Sequence, residues 1–512
     1  MSWSFVSAGS RILSTRASGG RTPRWISTAD ASFETSSPPI LDSKHAASSR
    51  LPKRAGTIED VFSTSLADVP PLPQRFLSLK KQLFRQDLIK SWNDVLTGLQ
   101  GVTEEAISRG QAIIPSVQYS DIVNGLSAKQ IKDIKRTGSV IVRGGVPVEE
   151  ALQWKKEVRE YAAMNKELVR GSPADKIVFY ELYYSKAQLA ARTHPAVINT
   201  QRALLSLWHV SDPMSAVSLN TPISYFDRLR IRPPGPSVFT LGPHIDSGGL
   251  ERWEDPGFRQ CFSKILEGNW RQHDPFDASP RLNAKQDLYD APSQCSIFRP
   301  WQGWTSLSST GPSEGTLRLL PFLPLSSAYI MLRPFFRPKR LLQTGEAPLA
   351  AEDWELDLES TAFPGSEMAK AQGLNEMTHP HLRLDKAMVS IPRVEPGDQV
   401  YWHCDLVHSV EAKHTGDSDS SVFCIPAAPL TVNNMSYLQS QTTNFHAGTP
   451  PPDFGGGDGE SRFEGRGTPE DIISLEGRRI SGLTEFSIPP NATSGEIELI
   501  NQVNAQLYQE RR

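Results

Sequence analysis

His244 and Asp246 stand two residues apart in Gly242-Pro243-His244-Ile245-Asp246-Ser247-Gly248, an imidazole and a carboxylate fenced by glycine and proline. In an extended strand, residues i and i+2 point to the same face about 7 Å apart. Both side chains could therefore grip one small cation from the same side, and the glycines leave room for a second molecule to approach it. Joined by one distant histidine, such a pair makes the 2-His-1-carboxylate arrangement that holds non-haem Fe(II). A lone His-x-Asp arises by chance in a chain of this length, so the other residues decide its meaning.

Eleven histidines offer a third ligand. Two of them, His403 and His408, lie in Pro396-Gly397-Asp398-Gln399-Val400-Tyr401-Trp402-His403-Cys404-Asp405-Leu406-Val407-His408-Ser409, where a Pro-Gly-Asp turn launches an apolar strand. On residue type alone, both stay open.

The elements that must position these groups change character along the chain. Apolar residues recur at helical spacing from Leu72 to Leu99, with Pro73 suited to a helix start. Further helices are expected near Ala128–Lys135, over Val148–Met164 and over Thr193–His209, with a short buried strand and glycine turn at residues 138–145. After Pro222 short β-rich runs alternate with turn residues: Ile223–Phe226, Leu229–Arg232, Ser237–Leu241, Ser296–Phe298, Trp304–Ser308, Thr316–Phe322, Ala387–Ile391, Gln399–Cys404 and Ser421–Ile425. Such spacing reads as a sandwich or barrel, not as βαβ units. The expected class is mainly β with flanking helices (α+β). Trp253–Ala291 and Leu341–Leu382 read as insertions, and Pro450–Gly457 as a loop that wraps the domain or carries a lid.

Composition narrows the function classes. The 512 residues are 38% hydrophobic and 22% charged with a net charge of −3, which gives no electrostatic case for nucleic acid or an anionic membrane. No run of 18 apolar residues marks a membrane span. The four cysteines, Cys261, Cys295, Cys404 and Cys424, form no CxxC and read as reduced thiols. Residues 1–29 carry Arg11, Arg16, Arg21 and Arg24 with no acid before Asp30, the composition of a mitochondrial (matrix) presequence, the alternative being a disordered basic tail on a cytoplasmic protein. A linker follows to about Pro52, and residues 53–512 are expected to form one domain: a helical part to 221, a β core over 222–441 with its insertions, and a C-terminal extension from 442. A small molecule is the expected partner, and the composition specifies no oligomeric state.

The stretch from Pro396 to Ser409 resembles the distal half of the phytanoyl-CoA-dioxygenase-like group of Fe(II)/2-oxoglutarate oxygenases. There Gly-Asp is followed by a strand, and the ligand is the second histidine. Gln302-Gly303-Trp304-Thr305-Ser306-Leu307-Ser308 and Glu314-Gly315-Thr316-Leu317-Arg318-Leu319-Leu320-Pro321 are similar to that group's middle strands. More narrowly, His244 through Glu254, the Gln302-Gly303-Trp304 block and Leu332-Arg333-Pro334-Phe335-Phe336 resemble a family catalogued as domain of unknown function 1479. The likeness covers most of the chain after about residue 70.

The resemblance implies a double-stranded β-helix (a jelly roll, cupin-like) with iron held by His244, Asp246 and His408, and with 2-oxoglutarate and O₂ as cosubstrates. His403 would then be structural or orient the site from outside it. One departure stands out. Members of the group place an arginine roughly a dozen residues past the distal histidine to hold the far carboxylate of 2-oxoglutarate. Here that position is serine, in Ser418-Asp419-Ser420-Ser421. Arg318, Arg299, Lys413 and Thr305 are the candidate substitutes for contacting the 2-oxo acid, because a buried carboxylate needs a cation or several donors. The aromatics Phe298, Trp301, Trp304, Tyr401 and Trp402 are candidates for a substrate pocket or for core packing. Arg252 and Glu254 either face the substrate or pair with each other. Two other readings accompany the oxygenase: a non-redox metalloenzyme (isomerase or hydrolase) on a related barrel, and a non-catalytic binding protein on the same scaffold.

Overall fold

The computed structural model describes residues 53–62, 70–236, 241–246, 248–341 and 347–508. The expected presequence and linker, and most of the strand expected at Ser237–Leu241, lie outside the described residues.

The N-terminal helices follow their apolar periodicity. The run expected as one helix from Leu72 to Leu99 is two, α1 (Arg75–Leu83) and α2 (Asp87–Arg109). The break has a packing cause: Phe84 is extended (φ −64°, ψ 136°), and its ring turns onto Phe335 with centroids 6.4 Å apart. Helix α2 buries Leu88, Trp92, Val95, Leu96 and Leu99, one stripe at helical spacing. Helix α3 (Ala128–Thr137) starts at a Ser127–Gln130 capping box and stops at Gly138, whose φ of +71° suits glycine. Helix α4 spans Val148–Met164 as expected, whereas the helix expected over Thr193–His209 is Pro195–Leu205.

Two principal sheets follow. In chain order their strands are β1 Ser116–Gln118, β2 Ser139–Arg143, β3 Gly171–Ser172, β4 Phe179–Tyr180, β5 Leu229–Arg232, β6 His244–Ile245, β7 Trp301–Ser306, β8 Leu317–Leu319, β9 Gln372–Gly373, β10 Val389–Ser390, β11 Gln399–His403, β12 His408–Val410 and β13 Ser420–Cys424. The larger sheet runs β1-β2-β11-β7-β13-β5-β4-β3 and the smaller β9-β6-β12-β8-β10. Only β1–β2 is parallel among these pairs of described strands. From β5 onward the chain passes between sheets, placing β5, β7, β11 and β13 in the larger and β6, β8, β9, β10 and β12 in the smaller.

Every residue of β7 and β11 is buried, so these strands read as continuous apolar runs without a solvent face. One face looks across a cavity at the smaller sheet. The other meets helices, as where Trp301 Nε1 donates to the Leu204 carbonyl at 2.8 Å.

The class expectation needs correction. More described residues lie in helices than in strands, so the protein is mixed α/β with several antiparallel sheets, not mainly β. Ser296–Phe298 is no strand, because the Asn434 side chain takes both backbone hydrogen bonds of Phe298, at 3.0 and 2.8 Å. Nor is Leu341–Leu382 merely inserted: its Gln372–Gly373 forms β9, the edge partner of His244. The boundary expected at residue 442 falls inside a helix, Val432–Ala447.

Candidate metal centre and its cavity

Strand β6 contributes His244, held between Gly373 of β9 and His408 of β12. Its Nδ1 donates to the Gly242 carbonyl at 2.6 Å. His408 repeats the device on β12, its Nδ1 donating to the Leu406 carbonyl at 3.0 Å. With each Nδ1 carrying the proton, both Nε2 lone pairs point forward. They face one carboxylate: His244 Nε2 is 3.5 Å from Asp246 Oδ1, and His408 Nε2 is 3.9 Å from Asp246 Oδ2.

Asp246 follows β6, and its position is fixed from behind. Arg252, fully buried, donates to the Asp246 carbonyl at 2.8 Å and also to the Gly248 carbonyl. Gly248 has a φ of +83°, and a Cβ there would lie 2.6 Å from the Glu251 carboxylate. Glycine is required at that turn on both counts. Glu251 accepts from the Gly249 amide at 2.7 Å, and burial pushes its carboxyl up to about 7.

The charges suit a dication. Burial, together with the neighbouring His244, pushes His408 down to about 3, so it is a neutral imidazole. Burial alone would raise the Asp246 carboxyl, but His244, His408 and Arg299 bring it below the usual carboxylate value. The three donor atoms lie within 4.8 Å of one another, all on one wall. Two imidazole nitrogens and a carboxylate on one face form the donor set of a facial Fe(II) triad.

That wall belongs to a cavity of about 140 Å³. The larger sheet supplies its opposite face through Gln302, Trp304, Trp402, Val422 and Cys424. Three arginines also line it. Arg299 lies between two carboxylates, 3.4 Å from Asp227 and 3.5 Å from Asp246. Arg228 pairs with Asp227 at 3.3 Å and covers the Phe454 ring at 4.7 Å. Arg230 has neutral partners, the Ser420 hydroxyl at 3.1 Å and the Gly315 carbonyl at 3.3 Å.

The structure brings His244, Asp246 and His408 together and places Arg299 against them. Arg318, Lys413 and Thr305 are not among the described residues lining the cavity. Arg318 donates to the Met388 carbonyl at 2.9 Å, Lys413 is exposed on a ladder with Pro236, and Thr305 points to the face of β7 opposite Trp304. His403 also points away, stacked on Trp208 at 4.9 Å with Nε2 donating to the Pro275 carbonyl at 3.0 Å. Of the candidate aromatics, Trp304 and Trp402 line the cavity, while Phe298, Trp301 and Tyr401 do not. Arg252 and Glu254 do neither thing expected of them: Arg252 braces the Asp246 turn, and Glu254 pairs with Arg75 at 2.6 Å.

A roof was invisible to sequence reasoning. Residues 53–62 form a strap, with Ile58, Val61 and Phe62 lining the cavity and Phe62 set edge-on to the His244 ring at 4.7 Å. Its anchor is buried Lys53, whose Nζ lies 2.6 Å from Asp287 and 3.3 Å from Asp453. The adjacent Phe454 lines the cavity too, so the C-terminal loop does reach the site. A lysine beside Pro52 carries no local pattern that announces this role.

Relatives share this architecture across most of the chain. The Escherichia coli K12 protein YbiU is 33% identical over 389 residues, 73% of this chain and 87% of its own. The crystal structure of GlcNAc Inducible Gene 2 from Candida albicans superposes with a TM-score of 0.77 at 31% identity, covering 86% of this chain and 96% of that one. A Salmonella typhimurium LT2 structure described as a candidate oxidoreductase gives 0.69 at 30% identity, covering 80% and 98%. The Gig2-like family model matches residues 70–483. The chain belongs to the Gig2-like family, the domain of unknown function 1479.

Proposed function

We propose that the protein is a non-haem Fe(II)- and 2-oxoglutarate-dependent dioxygenase that hydroxylates a small molecule. The observation that carries this reading is the convergence of His244 Nε2, His408 Nε2 and the Asp246 carboxylate within 4.8 Å on one wall of a roofed cavity. The passage of β5 to β13 between two facing sheets supports the finer fold reading, a double-stranded β-helix. The description of the Salmonella relative as a candidate oxidoreductase is consistent with it.

Fe(II), when bound by His244, Asp246 and His408, supplies the redox chemistry with O₂ and the 2-oxo acid. The chain's own residues orient and exclude. The Gly242 and Leu406 carbonyls fix which imidazole nitrogen faces the metal position. Arg252 sets the Asp246 backbone, and Arg299 lies against the Asp246 carboxylate. Phe62, Trp304 and Trp402 keep bulk water from the ligands.

Anaerobic titration tests the reading. Fe(II) plus 2-oxoglutarate should give a weak visible metal-to-ligand charge-transfer band that His244→Ala abolishes. Iron affinity unchanged by His244→Ala would overturn the site. Bound zinc or manganese without oxygen consumption would favour a non-redox metalloenzyme, and stability unaltered by Fe(II) would favour a binding protein.

A further inference from the structure

We propose that Arg230 is the carboxylate-binding residue of the cavity, taking the far carboxylate of a 2-oxo dicarboxylic acid whose other end lies at the His244–Asp246–His408 centre. This rests on the proposed oxygenase reading and adds the residue that the sequence does not supply within Ser418–Ser421.

Pairing within the cavity singles out Arg230. Arg228 and Arg299 share Asp227, and Arg299 reaches Asp246 as well. Arg230 is 6% exposed and has no carboxylate partner among the described residues. Its Nη2 contacts only the neutral Gly315 carbonyl and Ser420 hydroxyl, and its Nε has no hydrogen-bond partner. A buried guanidinium left without an anion is costly, and its planar fork fits a carboxylate. Burial and the neighbouring Arg232 push it down to about 10, the direction expected of a cation lacking its counterion.

Register places this cation where the missing arginine would reach. Arg230 on β5 stands directly opposite Val422 of β13 and Phe179 of β4, and all three line the cavity. β13 follows the distal histidine and begins within the Ser418–Ser421 stretch where the arginine is expected; its Ser420 hydroxyl contacts Arg230, whereas the Ser421 hydroxyl is bonded to Asp419. The guanidinium is thus supplied from the neighbouring strand, its Nη2 reaching the Ser420 hydroxyl at 3.1 Å. A ligand with two carboxylates, one at the metal and one at Arg230, would give Arg230 the counterion it lacks.

The test uses full-length protein loaded anaerobically with Mn(II), with calorimetric titration of 2-oxoglutarate and of 2-oxobutyrate, which lacks the far carboxylate. Arg230→Met should weaken 2-oxoglutarate about 30-fold or more while leaving 2-oxobutyrate and Mn(II) affinity unchanged. Arg230→Lys, which keeps a cation, should recover part of the loss and covers the case in which the methionine variant does not fold. Unaltered 2-oxoglutarate affinity in both variants, or equal loss for both acids, would overturn the proposal and leave the metal centre standing. A wild-type protein that binds no Mn(II) would overturn the oxygenase reading and this proposal together.

Discussion

His244 and His408 face each other in register on neighbouring strands, ring centroids 4.1 Å apart, each with Nδ1 tied to the backbone carbonyl two residues earlier. The two imidazoles are thus oriented by the same local device at two distant points of the chain. Neither needs a side-chain partner to set its tautomer, so the orientation of the ligands is built into the strands that carry them.

Metal binding should therefore depend on both rings together with the Asp246 carboxylate. His408→Ala is expected to lower Mn(II) affinity on the order of 100-fold, while the wild-type protein at about 100 times its dissociation constant gains about 2.7 kcal/mol of stability. Thermal melts with and without Mn(II) check this: at the same metal concentration the metal-induced stabilisation should shrink to about 0.4 kcal/mol in His408→Ala.

Acid should destabilise the protein above the range where carboxylates titrate. Burial, aided by Arg333, pushes His381 down to about 3; burial, only partly offset by Asp405, pushes His403 to about 4. Unfolded, both would titrate near 6.5, so below that pH the unfolded chain binds protons that the folded chain refuses. Stability contributed by these groups is complete above about pH 7 and falls as pH drops from about 6.5 toward 4, by up to about 1.4 kcal/mol per pH unit for each histidine. Urea unfolding of the metal-free protein from pH 4 to 8 should show that slope, and a flat profile over this window would contradict it.

The buried pair Arg281–Asp405 ties the helical turn Ser279–Asn283 to the turn that delivers β12 and its His408. Each side chain is under 5% exposed. Removing the cation leaves Asp405 buried and unpaired, so Arg281→Met should cost about 3–5 kcal/mol in denaturant unfolding. Because the turn sets His408, Mn(II) affinity should fall as well.

The roof should open when its anchor is cut. Lys53→Met removes the shared partner of Asp287 and Asp453. Hydrogen exchange of residues 54–62 is expected to speed up about tenfold or more, with the sheets unchanged. Exchange across the strap equal to that of the wild type would mean that Phe62 and its apolar neighbours hold it alone.

The site was legible to the extent that its chemistry is local. His244-x-Asp246 shows because two ligands share one turn; His408 needed a resemblance, since nothing in its own neighbourhood separates it from His403. Arg230 was out of reach: Leu229-Arg230-Ile231-Arg232 reads as an ordinary strand, and only the cavity shows that Arg230 lacks an anion while its neighbours have theirs. The helix Leu323–Leu332 also escaped detection. It is buried on nearly every side against α2, so it has no polar face to set a period. Ser296–Phe298 failed for the opposite reason, a strand-like run whose hydrogen bonds go to a distant asparagine side chain.

The strap also imposes an order of events on synthesis. Lys53 leaves the ribosome early, but Asp453 is made only near the end of the chain, and the ion pair that seats the roof needs both. The sheets that align the two histidines can form before that closure. Such a long wait between partners is the kind of contact that slows folding. The second anchor of Lys53 is therefore made only after every strand that carries a ligand has left the ribosome.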